Sequence, residues 1–143
     1  MNIKRIAVGL AALALPAVLL TTQVSTAEAA TLCGENYHSI GAGPVELKDS
    51  WDGGSIKLGY VDVQYNPVQT RWCFLVKATE SISFVTVRGS YAANPGWDRY
   101  GEGRGWKAKY LDSNGGKCVD AWGKIVQVEG ATRTSDVFTR CRA

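Results

Sequence analysis

The chain alternates short apolar–polar runs with clusters of turn-forming residues, and after residue 30 no stretch has the period of a long helix. In the run at 55–65, one face of a strand would carry three apolar residues: Ile56, Leu58 and Tyr60. The phase slips at Val61, and one extra residue beside Gly59, a β-bulge, would account for the slip. Alternation with a period of two predicts a β-strand here.

Further strands are predicted at runs of similar character, at 37–40, 45–47, 71–79, 81–88, 106–111, 117–128 and 137–141. The run at 71–79 has apolar residues on both faces, which is typical of a central strand. Turns are predicted at 49–54 and at 112–116, where Asp, Asn or Ser lie beside Gly. This spacing predicts a single all-β domain over residues 31–143, either a small sandwich or a barrel.

Residues 1–30 predict a secretory signal peptide that is not part of the fold. Lys4 and Arg5 precede an uncharged, Ala- and Leu-rich run at 6–20, and the sequence AEA at 27–29 places small residues at the cleavage-defining positions. The apolar run is about 15 residues long, shorter than the roughly 20 residues that a membrane-spanning helix needs. We therefore expect an exported protein that has no membrane contact once the signal is removed.

All four cysteines lie in the exported part of the chain: Cys33, Cys73, Cys118 and Cys141. An even number of cysteines in an exported domain predicts two disulfides. A zinc site is disfavoured because there is no CxxC pair and His38 is the single histidine. Of the three possible pairings we favour Cys33–Cys73 with Cys118–Cys141, and we expect neither a metal nor another cofactor.

The charged residues give little support to catalysis or to nucleic-acid binding. The net charge is +3 at pH 7, and the charges are interspersed, whereas a nucleic-acid surface needs clustered Lys and Arg. No serine lies in a nucleophile-elbow motif to act with His38. Paired carboxylates would permit glycoside hydrolysis, and the candidates are Asp62, Asp98, Glu102 and Asp120. Isolated surface acids are the commoner explanation, so no catalytic residue is assigned.

The segment at 94–107, NPGWDRYGEGRGWK, is the stretch richest in residues typical of binding. It combines aromatic and basic residues among four glycines: Trp97, Arg99, Tyr100, Arg104 and Trp106. On a loop, this composition is typical of surfaces that stack on sugar rings or anchor a protein partner. Alternatively, Trp97 and Trp106 fold back to cover the edge of the core. We predict an irregular, flexible loop over 91–105 that brings these ligand-binding candidates to one surface.

Four motifs carry a family resemblance: CGENYHSI at 33–40, GSIKLGYVDVQYN at 54–66, RWCFLVKA at 71–78 and GKCVDAWGKI at 116–125. With these motifs and a final cysteine, Cys141, the chain resembles the spore-associated protein A family of small secreted actinobacterial proteins. The resemblance covers about residues 32–141, and the segment at 91–106 departs from it by being richer in Trp and Arg. It implies export and association with the spore or cell surface, and it carries over no catalytic residues.

The sequence therefore predicts a secreted, non-catalytic protein of the spore or cell surface. We expect a monomer whose partner is a cell-wall or spore-surface polymer such as a polysaccharide, and not nucleic acid. Two alternatives stay open. One is a small secreted hydrolase that uses Asp and Glu residues, and the other is a secreted protease inhibitor that presents the segment at 94–105.

Overall fold

The described part of this computed structural model is residues 32–49 and 56–143, without the side chains of Asn94, Pro95 and Trp97. Its strands are β1 (His38–Ser39), β2 (Val45–Lys48), β3 (Lys57–Asn66), β4 (Arg71–Ala78), β5 (Phe84–Tyr91), β6 (Asn94–Arg104), β7 (Trp106–Asp112), β8 (Cys118–Val126), β9 (Thr132–Thr134) and β10 (Phe138–Cys141). The predicted signal peptide at 1–30 lies outside the described residues, as does most of the predicted turn at 49–54.

The strands form two antiparallel sheets, which confirms the predicted all-β class and makes the domain a sandwich. In sheet 1 the order is β1, β3, β4 and β7, and β2 pairs with the same edge of β3 as β1 does. In sheet 2 the order is β10, β8, β5 and β6, and β9 pairs with the same edge of β8 as β10 does. Each sheet therefore has three long strands and an edge that two short strands share.

Strand β4 is a central strand, as predicted. It pairs with β3 along one edge and with β7 along the other. Trp72 and Phe74 belong to the core between the sheets, whereas Cys73 and Leu75 belong to a second cluster on the outer face of sheet 1. All four side chains are fully buried, so both faces of sheet 1 are covered at this strand.

The predicted loop at 91–105 is wrong for most of its length, because Asn94–Arg104 form strand β6 at the edge of sheet 2 and residues 99–104 pair with β5 in regular register. The predicted irregularity is confirmed at 95–98, which lie between the pairs Tyr91–Asn94 and Gly89–Arg99, where the register shifts. The glycines of this segment favour a loop, since Gly is depleted in strands. In the structure one of them has a packing role. A Cβ at Gly101 would lie 2.5 Å from Cε of Lys109, so the glycine leaves room for the lysine stem to cross β6.

Strand β9 is another element that no sequence pattern predicts. Its three residues, TRT, are all exposed, so they show no alternation of apolar and polar positions. The other strands lie within the predicted runs or a few residues from them. The ends of strands are less clearly marked in sequence than their centres.

The β-bulge predicted beside Gly59 is confirmed. The register between β2 and β3 shifts so that Leu58 is the extra residue between Lys57 and Gly59. Leu58 packs in the core between the sheets, whereas Tyr60 belongs to the cluster on the outer face of sheet 1. The predicted common face for Leu58 and Tyr60 is therefore wrong, because the slip occurs before Tyr60 and not at Val61.

Two glycines of sheet 2 shape the core between the sheets. A Cβ at Gly89 would lie 2.3 Å from Cδ2 of Phe74, and a Cβ at Gly123 would lie 2.4 Å from Cγ2 of Val61. Real Cβ atoms do not approach other atoms so closely, so the large side chains of sheet 1 occupy the space above these glycines. The packing of these large side chains of sheet 1 against glycines of sheet 2 determines how closely the two sheets approach.

Both predicted disulfides are confirmed, and no cysteine is free. Cys118–Cys141 joins directly opposite residues of β8 and β10. Cys33–Cys73 joins the segment before β1 to the centre of β4, with a sequence separation of 40. For loops of this size the chain-entropy model gives roughly 3–4 kcal/mol per disulfide, which is a large share of the typical stability of a small domain.

The segment at 32–40 lies over the outer face of sheet 1. Cys33 and Tyr37 are buried in one cluster with residues of β3 and β4. The hydroxyl of Tyr110 donates a hydrogen bond to the carbonyl of Cys33 at 3.0 Å, and Nδ2 of Asn66 donates to the carbonyl of Glu35 at 3.1 Å. These contacts hold the segment as a cover over sheet 1.

We predict that Gly89→Ala destabilises the domain by about 1–3 kcal/mol, the usual cost of overpacking a core. The added methyl group would overlap the ring of Phe74. Urea denaturation of both single variants and of Gly89→Ala with Phe74→Leu gives a double-mutant cycle. Because leucine is smaller than phenylalanine, the alanine should cost less in the Phe74→Leu background. Equal costs in both backgrounds would contradict this account of the packing.

We also predict that removing Cys33–Cys73 by replacing both cysteines with serine lowers the unfolding free energy by about 2–5 kcal/mol. The amides of residues 32–40 should then exchange hydrogen faster than those of β8, because the cover loses its covalent tie. The matched control replaces Cys118 and Cys141, which should leave exchange at 32–40 nearly unchanged under native conditions. A faster exchange at 32–40 that is equal in the two double variants would argue against a cover held by Cys33–Cys73.

Candidate functional site

The outer face of sheet 2 carries three rows of side chains that cross β6, β5 and β8. Residues directly opposite each other in antiparallel strands project to the same side of the sheet. The rows are Tyr100–Arg88–Trp122, Glu102–Thr86–Lys124 and Arg104–Phe84–Val126. We call these nine residues the open face, since Tyr100 is 47% exposed and Phe84 is 49% exposed.

In the first row of the open face, the guanidinium of Arg88 lies between two aromatic rings. Its Cζ is 5.2 Å from the ring centroid of Tyr100 and 5.0 Å from that of Trp122. Both distances are within the range of a cation–π interaction. The Nε of Arg88 is buried and has no hydrogen-bond partner, so the two rings hold the side chain without satisfying this donor.

Tyr100 is also hydrogen-bonded to Glu102 in the second row, its hydroxyl donating to the Glu102 carboxylate. This hydrogen bond, with burial, raises the pKa of Tyr100, and the positive charge of Arg88 together with its hydrogen bond to Tyr100 acts in the opposite direction. The phenol is therefore protonated at neutral pH and lies between the carboxylate of Glu102 and the guanidinium of Arg88. Arg88 and Glu102 form no ion pair within 4.0 Å, and the Glu102 carboxylate accepts its hydrogen bond from Tyr100.

The third row repeats the pairing of an aromatic ring with an arginine. Cζ of Arg104 lies 4.1 Å from the ring centroid of Phe84, and a terminal nitrogen of Arg104 donates to the carbonyl of Ile82 at 3.2 Å. Both side chains are exposed. An apolar surface with a cation above it, left in water, is the kind of patch that marks an interaction site.

The open face has an excess of positive charge. Its cations are Arg88, Arg104 and Lys124, and its one carboxylate is Glu102. Within residues 32–49 and 56–143, the ion pairs closer than 4.0 Å involve other residues: Glu46 with Lys48 and Lys57, and Arg71 with Asp112. The three cations of the open face are therefore not neutralised by a carboxylate in contact with them.

The structure does not bring the five sequence-predicted ligand residues to one surface. Tyr100 and Arg104 lie on the open face. Arg99 projects to the other side of β6, where its Nε donates to the carbonyl of Tyr110 in β7 at 2.7 Å. Trp106 lies in sheet 1, opposite Lys77, and is 47% exposed. The side chain of Trp97 lies outside the described residues.

Six residues of the open face are absent from the sequence prediction: Phe84, Thr86, Arg88, Trp122, Lys124 and Val126. A sequence signal for Trp122 does exist, because Val119, Ala121 and Ile125 alternate with polar residues in the sequence of β8, and the structure shows the same alternation of buried and half-buried positions. This alternation places Trp122 on the same face as Asp120 and Lys124, away from the core. Its proximity to Arg88 and Tyr100 depends on strand register, which the sequence pattern alone does not give.

Two of the candidate catalytic acids, Glu102 and Asp120, are too far apart to act as a pair. Glu102 and Asp120 lie on the outer face of sheet 2, two strands apart and four residues apart along the strands. Ideal sheet geometry places their Cα atoms about 16 Å apart, whereas the carboxyl groups of glycosidases are roughly 5–9.5 Å apart. Asp98 is exposed near the start of β6. In the described part of the chain no group of three His, Cys, Asp or Glu residues is placed to hold a metal ion.

Asp62, the fourth acid, is fully buried in β3. Its carboxylate accepts hydrogen bonds from Oγ of Ser39 at 2.6 Å, from Nε2 of Gln64 at 2.8 Å and from the amide of Val63 at 2.9 Å. Burial raises the pKa of Asp62 above its ordinary value of 3.8, although these bonds and the charge of Arg140 lower it. A carboxylate engaged in this way ties β1 to β3 and has no room for a substrate.

Comparisons with known proteins identify no relative. No family model, no curated protein and no solved structure matches the chain. The resemblance to the spore-associated protein A family therefore stays a prediction from sequence motifs. Among the described residues no helix is long and apolar enough to cross a bilayer.

We predict that Asp62 makes stability depend on pH. Its pKa is higher in the folded chain than in the unfolded chain. Between the two values the native state binds more protons, so the free energy of unfolding falls as pH rises through this window. The variant Asp62→Asn lacks this titration. Its stability relative to the native chain should therefore increase with pH across the window, as measured by urea denaturation at several pH values. A difference that stays constant or decreases with pH would show that burial does not dominate.

Proposed function

We propose that this protein is exported to the spore or cell surface, has no catalytic activity, and binds cell-wall polysaccharide through the open face of sheet 2. The observation that carries the proposal is the set of rows in which rings and arginines lie side by side on an exposed sheet. Aromatic rings stack on the apolar faces of sugars, and Arg, Lys and Glu bind their hydroxyl groups. The resemblance to the spore-associated protein A family points to the same location.

The two faces that turn away from the core differ, and the difference supports this choice of face. The outer face of sheet 1 is covered by the segment at 32–40 and carries buried side chains such as Leu75 and Tyr60. This cover leaves Trp106 and Tyr110 of β7 exposed, whereas the outer face of sheet 2 has no such cover and exposes Tyr100 and Phe84 beside arginines. An exposed ring leaves apolar area in water, and a stacked ligand would remove that area from water.

The compartment follows in part from the disulfides. Two disulfides are stable in an oxidising environment such as the extracellular space and are rare in the cytosol. Together with the predicted signal peptide at 1–30, they support export. Retention at the spore or cell surface is the further step of the proposal, and polysaccharide binding would supply it.

The two alternative functions receive less support from the geometry. A hydrolase needs a pair of acids, and Glu102 and Asp120 are too far apart, while Asp62 is buried. A protease inhibitor of the expected kind would present the segment at 94–105 as a protruding loop. Residues 99–104 of that segment are instead paired with β5 in regular register, and the irregular part is reduced to 95–98, which is short for a loop that enters a protease cleft.

We predict that Trp122→Ala weakens binding to purified cell wall or chitin by roughly 2- to 30-fold, which corresponds to about 0.5–2 kcal/mol for one ring contact. The measurement is depletion of the mature protein from solution by increasing amounts of the insoluble polymer. The matched control is Trp106→Ala, because Trp106 is an exposed tryptophan of the other sheet. It should leave the affinity unchanged, and melting temperatures should show that both variants fold.

Two results would contradict this proposal. If Trp106→Ala weakens binding as much as Trp122→Ala does, the open face is not the binding surface. If the protein turns over a glycan or peptide substrate, and Glu102→Gln or Asp120→Asn abolishes the turnover, the protein is an enzyme. A pull-down with spore coats and with cell wall separates the two surface locations.

A further inference from the structure

Arg88 carries a further inference, which rests on the proposed function because it concerns the same face. We propose that the open face selects an anionic glycan, a polysaccharide that bears carboxylate or phosphate groups, and that the guanidinium of Arg88 binds the anionic group. The argument depends on three observations: the unpaired charge of Arg88, its unused donor, and the charges around it.

The first observation is that Arg88 is held in place but not neutralised. The rings of Tyr100 and Trp122 fix its guanidinium at 5.2 and 5.0 Å from their centroids, and no described carboxylate lies within 4.0 Å of it. A cation that is oriented before a ligand arrives loses less conformational freedom on binding. The planar guanidinium fork also matches carboxylate and phosphate oxygens with two parallel hydrogen bonds.

The second observation is a pair of unsatisfied polar atoms at this point of the face. Nε of Arg88 and Oγ of Ser90 are both buried and have no hydrogen-bond partner. The two residues are separated by one position on β5, so their side chains project to the same side of sheet 2. Buried polar groups are nearly always hydrogen-bonded, and each exception needs an explanation. An anionic ligand bound at Arg88 would supply acceptors for these donors.

A purely structural role explains only part of this arrangement. Arg88 could act as a link that holds Tyr100 and Trp122 together through cation–π contacts. Such a link does not need a donor left without an acceptor, and a lysine would provide the same positive charge. The Nε of Arg88, which has no hydrogen-bond partner, is therefore the observation that favours a role in ligand binding over a role in packing alone.

The third observation is the charge balance of the face. Lys124 and Arg104 lie in the neighbouring rows, so an anion at Arg88 would also experience their attraction. The single carboxylate of the three rows, Glu102, is engaged by the hydroxyl of Tyr100. Asp120, directly opposite Ser90 in the next row, accepts a hydrogen bond from Oγ1 of Thr139 at 2.6 Å, so three cations face two carboxylates that are both hydrogen-bonded. Complementary charge favours an anionic ligand over a neutral one and suppresses binding of the wrong partner.

The test compares the binding of soluble glycans to the mature protein by calorimetry. The probes are an oligogalacturonide, which carries carboxylates, a phosphorylated dextran fragment, and a neutral chitin oligosaccharide. The native protein should bind at least one anionic probe more tightly than the neutral one, and this preference should shrink as salt is raised. The two anionic probes show whether carboxylate or phosphate is the preferred group.

The decisive variant is Arg88→Gln, which keeps a long polar side chain and removes the charge. It should lose roughly 10- to 150-fold in affinity for the anionic probe, the usual effect of deleting a charged hydrogen-bond partner, with a much smaller change for the neutral probe. Arg88→Lys should retain part of the preference, because it keeps the charge without the fork. The matched control is Arg133→Gln, which makes the same charge change in β9 at a residue whose Nε donates to the carbonyl of Lys48.

The outcomes distinguish this inference from the proposed function. If the native protein binds neutral and anionic probes equally, the selection of anions is overturned while polysaccharide binding stands. If Arg88→Gln and Arg133→Gln lose affinity equally, net charge explains the preference and Arg88 is not the recognition residue. If no glycan or cell-wall polymer binds, the proposed function fails together with the inference. The native preference and Arg88→Lys keep the test decisive even if Arg88→Gln does not fold.

Discussion

The two buried faces of β4 are the constraint on which the rest of the structure depends. Trp72 and Phe74 need one cover, and Cys73 and Leu75 need another, because a strand in the middle of a sheet that is apolar on both faces must be removed from water on both. Sheet 2 supplies the first cover, with Gly89 leaving space for the ring of Phe74. The segment at 32–40 supplies the second. The disulfide from Cys33 to Cys73 fixes this segment to β4 itself.

This arrangement determines which surface is left for function. Sheet 1 is covered on both faces at β4, although Trp106 and Tyr110 of β7 stay exposed. In the described chain, the segment at 32–40 covers the outer face of sheet 1 and leaves the outer face of sheet 2 open. Its residues confirm that it faces solvent, since Val85 and Val87 are buried while Phe84, the neighbour of Val85 on β5, is exposed. The rings on it are paired with arginines and not with other rings. Such pairs keep the apolar surface partly hydrated until a ligand with both apolar and polar groups covers it.

Much of the fold could be predicted because it depends on local sequence patterns. The alternation at 71–79 gives both the existence of β4 and its central place, and an even number of cysteines in an exported chain predicts two disulfides. The phase slip near Gly59 predicts a bulge, since only one extra residue can move a period-two pattern to the other face. The error at Tyr60 has a simple cause: the pattern shows that a slip exists within a few residues but not the position at which it occurs.

The candidate site could not be predicted because it depends on register between strands that are distant in sequence. Tyr100, Arg88 and Trp122 become neighbours only when β6, β5 and β8 are paired as observed. The glycines of β6 also lead to different conclusions from the sequence alone and from the paired structure. Alone they indicate a loop, but beside β7 the missing side chain of Gly101 makes room for the stem of Lys109. Residues 99–104 therefore pair with β5 in regular register and place Tyr100, Glu102 and Arg104 on one face. A paired strand orders these side chains before a ligand binds, at a lower entropic cost than a flexible loop.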